Sequence, residues 1–392
     1  MADSKELDIS ESTWSPEFIQ ELLPSVERTA LLYHLSFLCL GGFPKLERMI
    51  RDQAIETQML FGSSEAVLLK CAGTSSNLVT SLFPILIKAV EKNKPKLAVI
   101  YLEKAKTWIS DIIRAVDDMV TRYDQQTQSV GKCTSDVYQE QKLTEEKLTK
   151  HSDKMKALED SLVKLEVELS NNVDDMEEIE KKIEKNTQEL LYLIINNRSC
   201  RSSFLRGLFS YDDAIRAKQA ELTSLVSEKD SLRNQGWDIK IQQIDLQLQM
   251  ANFKIQLGVI PDPVHLKEVQ KCLDQIRQIL VNLKKFWEKV SVTLETLKEK
   301  TFVGEELIKE LEDLKEEFLK SIEDTEKCWN RFGVCCQRAQ GIFSIQSKDA
   351  YKFLEVNPSS LSEAERNKQY KSIMEKLKKI NPQGSARAAI AE

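Results

Sequence analysis

Between Leu148 and Leu193 the sequence can be walked in alternate steps of three and four residues. The steps land on Leu148, His151, Met155, Leu158, Leu162, Leu165, Leu169, Asn172, Met176, Ile179, Ile183, Asn186, Leu190 and Leu193. Eleven of these fourteen positions are apolar, and the residues between them are mostly charged or polar. That is the pattern of a helix offering one narrow stripe to a partner while its other faces stay in water. At about 1.5 Å per residue the arm is roughly 70 Å long. The polar exceptions His151, Asn172 and Asn186 sit where a buried polar group sets helix register, and His151 is the one that could also act as a pH switch.

The stripe ends in an apolar knot. Leu190, Leu191, Tyr192, Leu193, Ile194 and Ile195 are apolar all round, Asn196 to Ser199 should stop the helix, and Phe204, Leu205, Leu208 and Phe209 form a second clump. From Ile215 the same stepping resumes through Lys218, Leu222, Leu225, Lys229, Leu232, Gly236 and Ile239 to Leu257, which predicts a returning helix capped at Ser210 or Asp212. Folding about Phe204 brings Asn172 against Gly236 and Asn186 against Leu222, so that a polar seam residue meets the glycine that leaves room for it. The stretch from Trp237 to Met250 alternates apolar and polar residues. It reads either as a strand or as a helix with two apolar stripes between two neighbours.

The rest of the chain also reads as helix. Ser15 and Pro16 open one, Gly41 to Pro44 close it, and the apolar run from Ala30 to Leu40 requires a buried core position. A second helix is expected over Lys45–Leu60 and ends at Phe61-Gly62-Ser63-Ser64. A third is interrupted at Gly73-Thr74-Ser75-Ser76 and kinked at Pro84. No proline occurs between Pro95 and Pro261, which predicts one helix over about 96–195 with Gly131 as its weak point. A helix of that length does not fit a compact domain, so a rod is expected. Gly258 to Pro263 is the sharpest punctuation. Beyond it, helices are expected over Val264–Lys300 and Val303–Ser344. A short basic helix then opens at a capping box, Ser360 to Glu363, with Tyr370, Ile373, Met374, Leu377 and Ile380 on one face.

The predicted fold is therefore all-α: an elongated helical bundle with a long antiparallel coiled-coil hairpin and a short apolar head at its tip. Four segments follow: residues 1–95 as amino-terminal bundle helices, 96–258 as the hairpin with its head at 190–211, 259–357 as carboxy-terminal bundle helices, and 358–392 as the basic helix and tail.

Composition narrows the function. The 56 basic and 62 acidic side chains give a net charge of −6 and are mixed along the helices, which argues against nucleic acid as a partner. Eight cysteines are scattered without a CxxC pair, and three histidines complete no metal-ligand cluster, so no metal or cofactor is expected. No nucleotide loop, nucleophile elbow or HExxH is present, and the pairs Asp117-Asp118 and Asp174-Asp175 read as solvated helix faces. A non-enzymatic chain is expected. The polar, acidic amino terminus resembles neither a secretory signal nor a transit peptide, so a reduced cytoplasmic protein is expected, peripheral to or inserted in membranes on activation. The most apolar windows fall short of the ~18 residues that a spanning helix needs. Cys335-Cys336 reads as buried thiols, or as a lipidation or redox pair. Lys371, Lys376, Lys378 and Lys379 read as a solvated face or as a contact for anionic lipid.

The order of elements, with several amino-terminal helices, one very long helix, a short apolar head, a long returning helix and further bundle helices, resembles that of α-helical pore-forming toxins of the cytolysin A type. The tripartite Bacillus enterotoxin subunits and the Cry6 insecticidal protein share that layout. The resemblance covers about residues 16–345, involves no specific motif, and implies a membrane-inserting head at Leu190–Tyr211. Arg198, Arg201 and Arg206 then supply charge toward lipid. Two uses follow from the residues. In one, Leu190, Leu191, Leu193, Ile194, Ile195, Phe204, Leu205, Leu208 and Phe209 commit to a lipid bilayer and the protein forms a homo-oligomer there. In the other, an intracellular coiled-coil scaffold or tether binds another helical protein through its tip and seam.

Overall fold

The structure, a computed structural model, describes residues 17–92, 94–145, 153–199, 211–307, 329–330, 332–341, 343–344 and 349–380. Among these the architecture is all-α, without a strand. The helices are α1 (Glu17–Leu40), α2 (Pro44–Asn77), α3 (Phe83–Glu91), α4 (Pro95–Glu145), α5 (Asp153–Ser199), α6 (Tyr211–Gln256), α7 (Val264–Leu307) and α8 (Glu363–Lys379). Residues 332–341 are also helical. The chain divides into two compact units: Met1–Lys142 with Asp262–Arg366, and Leu143–Pro261 with Asn367–Glu392. These units join segments distant in sequence, whereas the four segments expected above are each continuous.

The first unit is built around α1, whose run from Leu35 to Leu40 is buried at every position and which packs on α7 and α2. Helix α4 runs antiparallel to α7, as Lys106 with Glu295 (2.6 Å), Asp117 with Lys284 (2.6 Å) and Asp124 with Arg277 (3.9 Å) record along its length. Gly131, expected to weaken the helix, lies within a continuous α4; a Cβ there would stand 2.8 Å from the Gln270 amide of α7. Between α1, α2 and α4, Tyr33 Oη lies 2.9 Å from Thr57 Oγ1, Gln126 donates to the same hydroxyl at 3.0 Å, and Tyr123 Oη meets Ser64 Oγ at 2.9 Å. Phe286, Trp287, Trp329 and Phe332 form an aromatic cluster with centroids 4.7–5.8 Å apart.

Several expected breaks are absent. Helix α2 passes straight through Gly62 and Gly73. Ser63, Ser64 and Ser75 donate to the carbonyls four residues earlier rather than capping new helices. The neighbouring Phe61 and Cys71 are fully buried, so tertiary packing overrides the local stop signals. The disturbance expected at Pro84 is a π-helical turn at Leu78–Leu82 just before it, where proline's missing N–H removes a ladder bond. Helix α7 likewise continues past Gly304 to Leu307. The single helix expected over 96–195 is observed as α4 and α5, with 146–152 outside the described residues.

In the second unit α5 and α6 form an antiparallel pair. Helix α6 is terminated just past its last residue by Gly258, whose φ of +71° is open to glycine. Val259 N donates to Lys254 O and Gly258 N to Ile255 O, the paired bonds that close a helix end around such a glycine. The Trp237–Met250 stretch is helix and not strand. A third helix explains its doubled pattern, since Trp237 Nε1 donates to Leu377 O at 3.1 Å and Asn252 Nδ2 to Asn367 Oδ1 at 3.4 Å. Tyr370, Ile373, Met374 and Leu377 of α8 are all buried. The capping box of α8 is Ser362 with Glu365, two residues later than expected: Ser362 N donates to Glu365 Oε2 at 2.9 Å and Glu365 N to Ser362 Oγ at 3.3 Å. Ser360 instead closes the short turn before it by donating to Asn357 O.

Candidate functional site

Two polar layers set the geometry of the α5 and α6 pair. In the first, Asn172 Nδ2 donates to Leu232 O at 3.0 Å. Its Oδ1 stands 2.5 Å from where a Cβ on residue 236 would be, so only glycine admits this approach. In the second, Asn186 Nδ2 donates to Glu221 Oε1 at 3.0 Å. Lys218 Nζ donates to Asn186 Oδ1 (2.6 Å) and pairs with Glu189 (2.7 Å) and Glu221 (3.0 Å). Hydrogen bonds to Glu189 and Glu221 hold the Lys218 ammonium above its ordinary pKa. The Lys218 ammonium in turn holds both carboxyls below theirs, with Asn186 assisting at Glu221. Between the layers Lys229 pairs with Glu180 at 2.9 Å. His151, the remaining expected seam residue, lies outside the described residues.

Beyond the second layer lie Leu190, Tyr192 and Leu193 of α5. Leu190 and Leu193 are half-buried and Tyr192 is 68% exposed. Together with Lys185, Gln188, Glu189 and Lys218, Tyr192 and Leu193 line an open cleft of ≈ 560 Å³. Leu191, Ile194, Ile195 and Arg198 belong to α5, which continues to Ser199, but their side chains are outside the described set. Arg201, Phe204, Leu205, Arg206, Leu208 and Phe209 lie outside the described residues. The clamp residues Lys218, Glu189 and Glu221 were not singled out as a group in the sequence. The signal existed in Lys218, a cation on the α6 seam at the height of Asn186. No helix among the described residues is long and apolar enough to cross a membrane.

Elsewhere, Cys39, Cys71, Cys133, Cys272 and Cys336 are buried and Cys335 is half-buried. Burial raises the Cys336 thiol well above its ordinary pKa, with Cys71 and Cys335 beside it, so it is held as the unreactive thiol. Lys371, Lys376, Lys378 and Lys379 are exposed. Among the described residues no group of three or more His, Cys, Asp or Glu is placed to hold a metal ion.

No protein-family model and no curated protein matches the chain. Among solved structures it is similar to the Bacillus cereus HblL1 toxin component, at 11% identity and a TM-score of 0.35, over 87% of this chain and 96% of that one. It is also similar to PaxB from Photorhabdus luminescens, at 12% identity and a TM-score of 0.24 over 79% and 96% of the two chains. XaxB from Xenorhabdus gives 12% identity and a TM-score of 0.23 over 78% and 98%.

Proposed function

We propose that this chain is a non-enzymatic helical protein that engages an anionic lipid bilayer through the far end of its α5 and α6 hairpin and assembles there with further copies. The observation that supports this is Tyr192, the most exposed large hydrophobic side chain described on the hairpin, beside the Lys218 clamp. Leu190 and Leu193 beside it are half-buried, at the end of a two-helix element. The sequence then adds Ile194, Ile195, Phe204, Leu205, Leu208 and Phe209. Full burial of each large apolar side chain is worth about 1.5–3 kcal/mol, which a bilayer interface supplies and water does not. Arg198, Arg201 and Arg206 each add about 1 kcal/mol of attraction near an anionic surface. In this reading Asn172, Gly236 and Asn186 fix the register that presents the tip, and entry is interfacial for one chain, deeper insertion requiring several.

The test is flotation with, and dye release from, vesicles of anionic or neutral phospholipid. Leu193→Asp combined with Phe204→Asp is expected to abolish binding to anionic vesicles while helicity by circular dichroism is unchanged. Undiminished binding removes the tip from the mechanism. The second reading, a tether that accepts a side chain of another helical protein, is favoured by the cleft beside Tyr192. It gains if the wild-type chain ignores both vesicle types.

A further inference from the structure

The outer face of α2 carries an exposed stripe of apolar and small residues. Ile55, Met59, Gly62, Ala66, Leu69 and Gly73 follow one another at alternate spacings of four and three residues, which places them on one side of the helix. Ile55, Met59 and Leu69 are 38%, 60% and 56% exposed. A Cβ at Gly62 or Gly73 would meet nothing within 4 Å. The opposite face of α2 supplies Thr57, Phe61, Ser64 and Leu68 to the core, so the stripe is not the face that anchors the helix. It is also where the sequence reads most like a helix end, and where the helix nevertheless continues.

We propose that this stripe is an isologous docking surface for a second copy of the chain, with the two α2 helices antiparallel. Antiparallel pairing about a two-fold axis sets Ile55 opposite Gly73 of the second copy, Met59 opposite Leu69 and Gly62 opposite Ala66. At the ends each large side chain therefore meets a notch, and the small residues at the centre let the backbones approach. The same register brings Glu56 beside Lys70 of the second copy, and Lys70 beside its Glu56. Both residues are exposed, and neither makes an ion pair among the described residues. On the other flank Glu65 is engaged within its own chain by Gln340 Nε2 at 2.8 Å, so the charge matching lies on the Glu56 and Lys70 side alone. A parallel mate would instead place Gly62 on Gly62 and Gly73 on Gly73, leaving voids along the seam. The strip is about 27 Å long, smaller than the interfaces of permanent dimers, so the contact is weak and reversible.

The experiment is sedimentation equilibrium of the full chain from about 1 μM to about 500 μM, spanning weak to moderate affinities. A monomer–dimer equilibrium is expected. Met59→Glu, Leu69→Glu and Glu56→Lys should each raise the dimer dissociation constant by about tenfold or more, since Glu56→Lys makes two like-charge contacts. Combining Glu56→Lys with Lys70→Glu should restore the wild-type constant, because the charges are then exchanged on both copies. All are exposed positions, and unchanged helicity and thermal midpoint check the fold. A monomer at every concentration, a dimer indifferent to these substitutions, or a charge-exchanged variant that fails to recover overturns the proposal.

Discussion

The bundle around α1 and the hairpin of α5 and α6 use the same kind of amphipathic helix and hold it in different ways. In the bundle Tyr33, Phe37 and Trp287 are at most 1% exposed, and polar groups such as Thr57 and Gln126 are satisfied inside. In the hairpin Leu158, Leu162, Leu165 and Leu169 are only half-buried. The four α5 side chains that are buried, among those described, are Met155, Asn172, Ile179 and Asn186. Half of the most protected positions are therefore asparagines. A helix enclosed by several neighbours gains stability from apolar area, whereas a helix with one neighbour gains less from area and relies on specific polar contacts to choose its register.

The comparison can be broken most directly by truncation. Trp287→Ala should destabilise the bundle by about 3–5 kcal/mol, and Leu165→Ala should cost the hairpin about 1 kcal/mol. Urea denaturation followed by hydrogen exchange in each region reads both, and equal losses would remove the distinction.

Acid should separate the regions next. His265 is 2% exposed, and neither ring nitrogen has a hydrogen-bond partner among the described residues. Burial lowers its pKa from 6.5 to about 4, against a smaller opposing pull from Glu268. The folded imidazole stays neutral while the unfolded chain takes up a proton below pH 6.5. The stability is therefore complete above that value and falls as pH drops toward 4. The loss should reach about 3 kcal/mol in the bundle. His265→Leu should flatten that slope, as measured by unfolding midpoints across the range.

In the hairpin, Gly236→Ala should cost about 1 kcal/mol despite the better helix propensity of alanine, because the new Cβ meets Asn172. Adding Asn172→Ala should recover part of the loss. A double-mutant cycle that is simply additive would show that the two residues do not meet.

The smallest effect is expected at the Lys218 clamp. Its carboxyls are lowered, so their contribution is present above the ordinary carboxylate value of 4.5 and is lost as pH falls through the lowered values. The Lys218 ammonium is raised, so its contribution is present below 10.5 and is lost as pH rises through its raised value. Lys218→Met should therefore weaken the hairpin slightly across the range between these limits, and should reduce the change that the wild-type hairpin undergoes as pH passes to either extreme. Distances between spin labels on α5 and α6 at pH 3, 7 and 11 would check this order-of-magnitude window.

Helical periodicity is local, and so the parts of the molecule that depend on it were legible. The three-four walk from Met155 to Leu193 marks the α5 seam, and the polar residue at 172 facing the glycine at 236 follows from folding that walk back on itself. The doubled stripe of Trp237–Met250 announced a second neighbour without naming it. The tip was legible as composition only, and of its side chains the structure places Leu190, Tyr192 and Leu193.

What the sequence determined by itself was the helical class, the antiparallel hairpin and the glycine stop at 258, because each rests on spacings within a few turns or on a single backbone requirement. The tertiary structure decided the rest. Helix α2 runs unbroken through Gly62 and Gly73 because burial of Phe61, Ser64 and Cys71 outweighs the propensity lost at exposed glycines. The neighbour of Trp237 is Leu377, a residue 140 positions away, and no local pattern encodes which of several apolar faces will be the one to arrive.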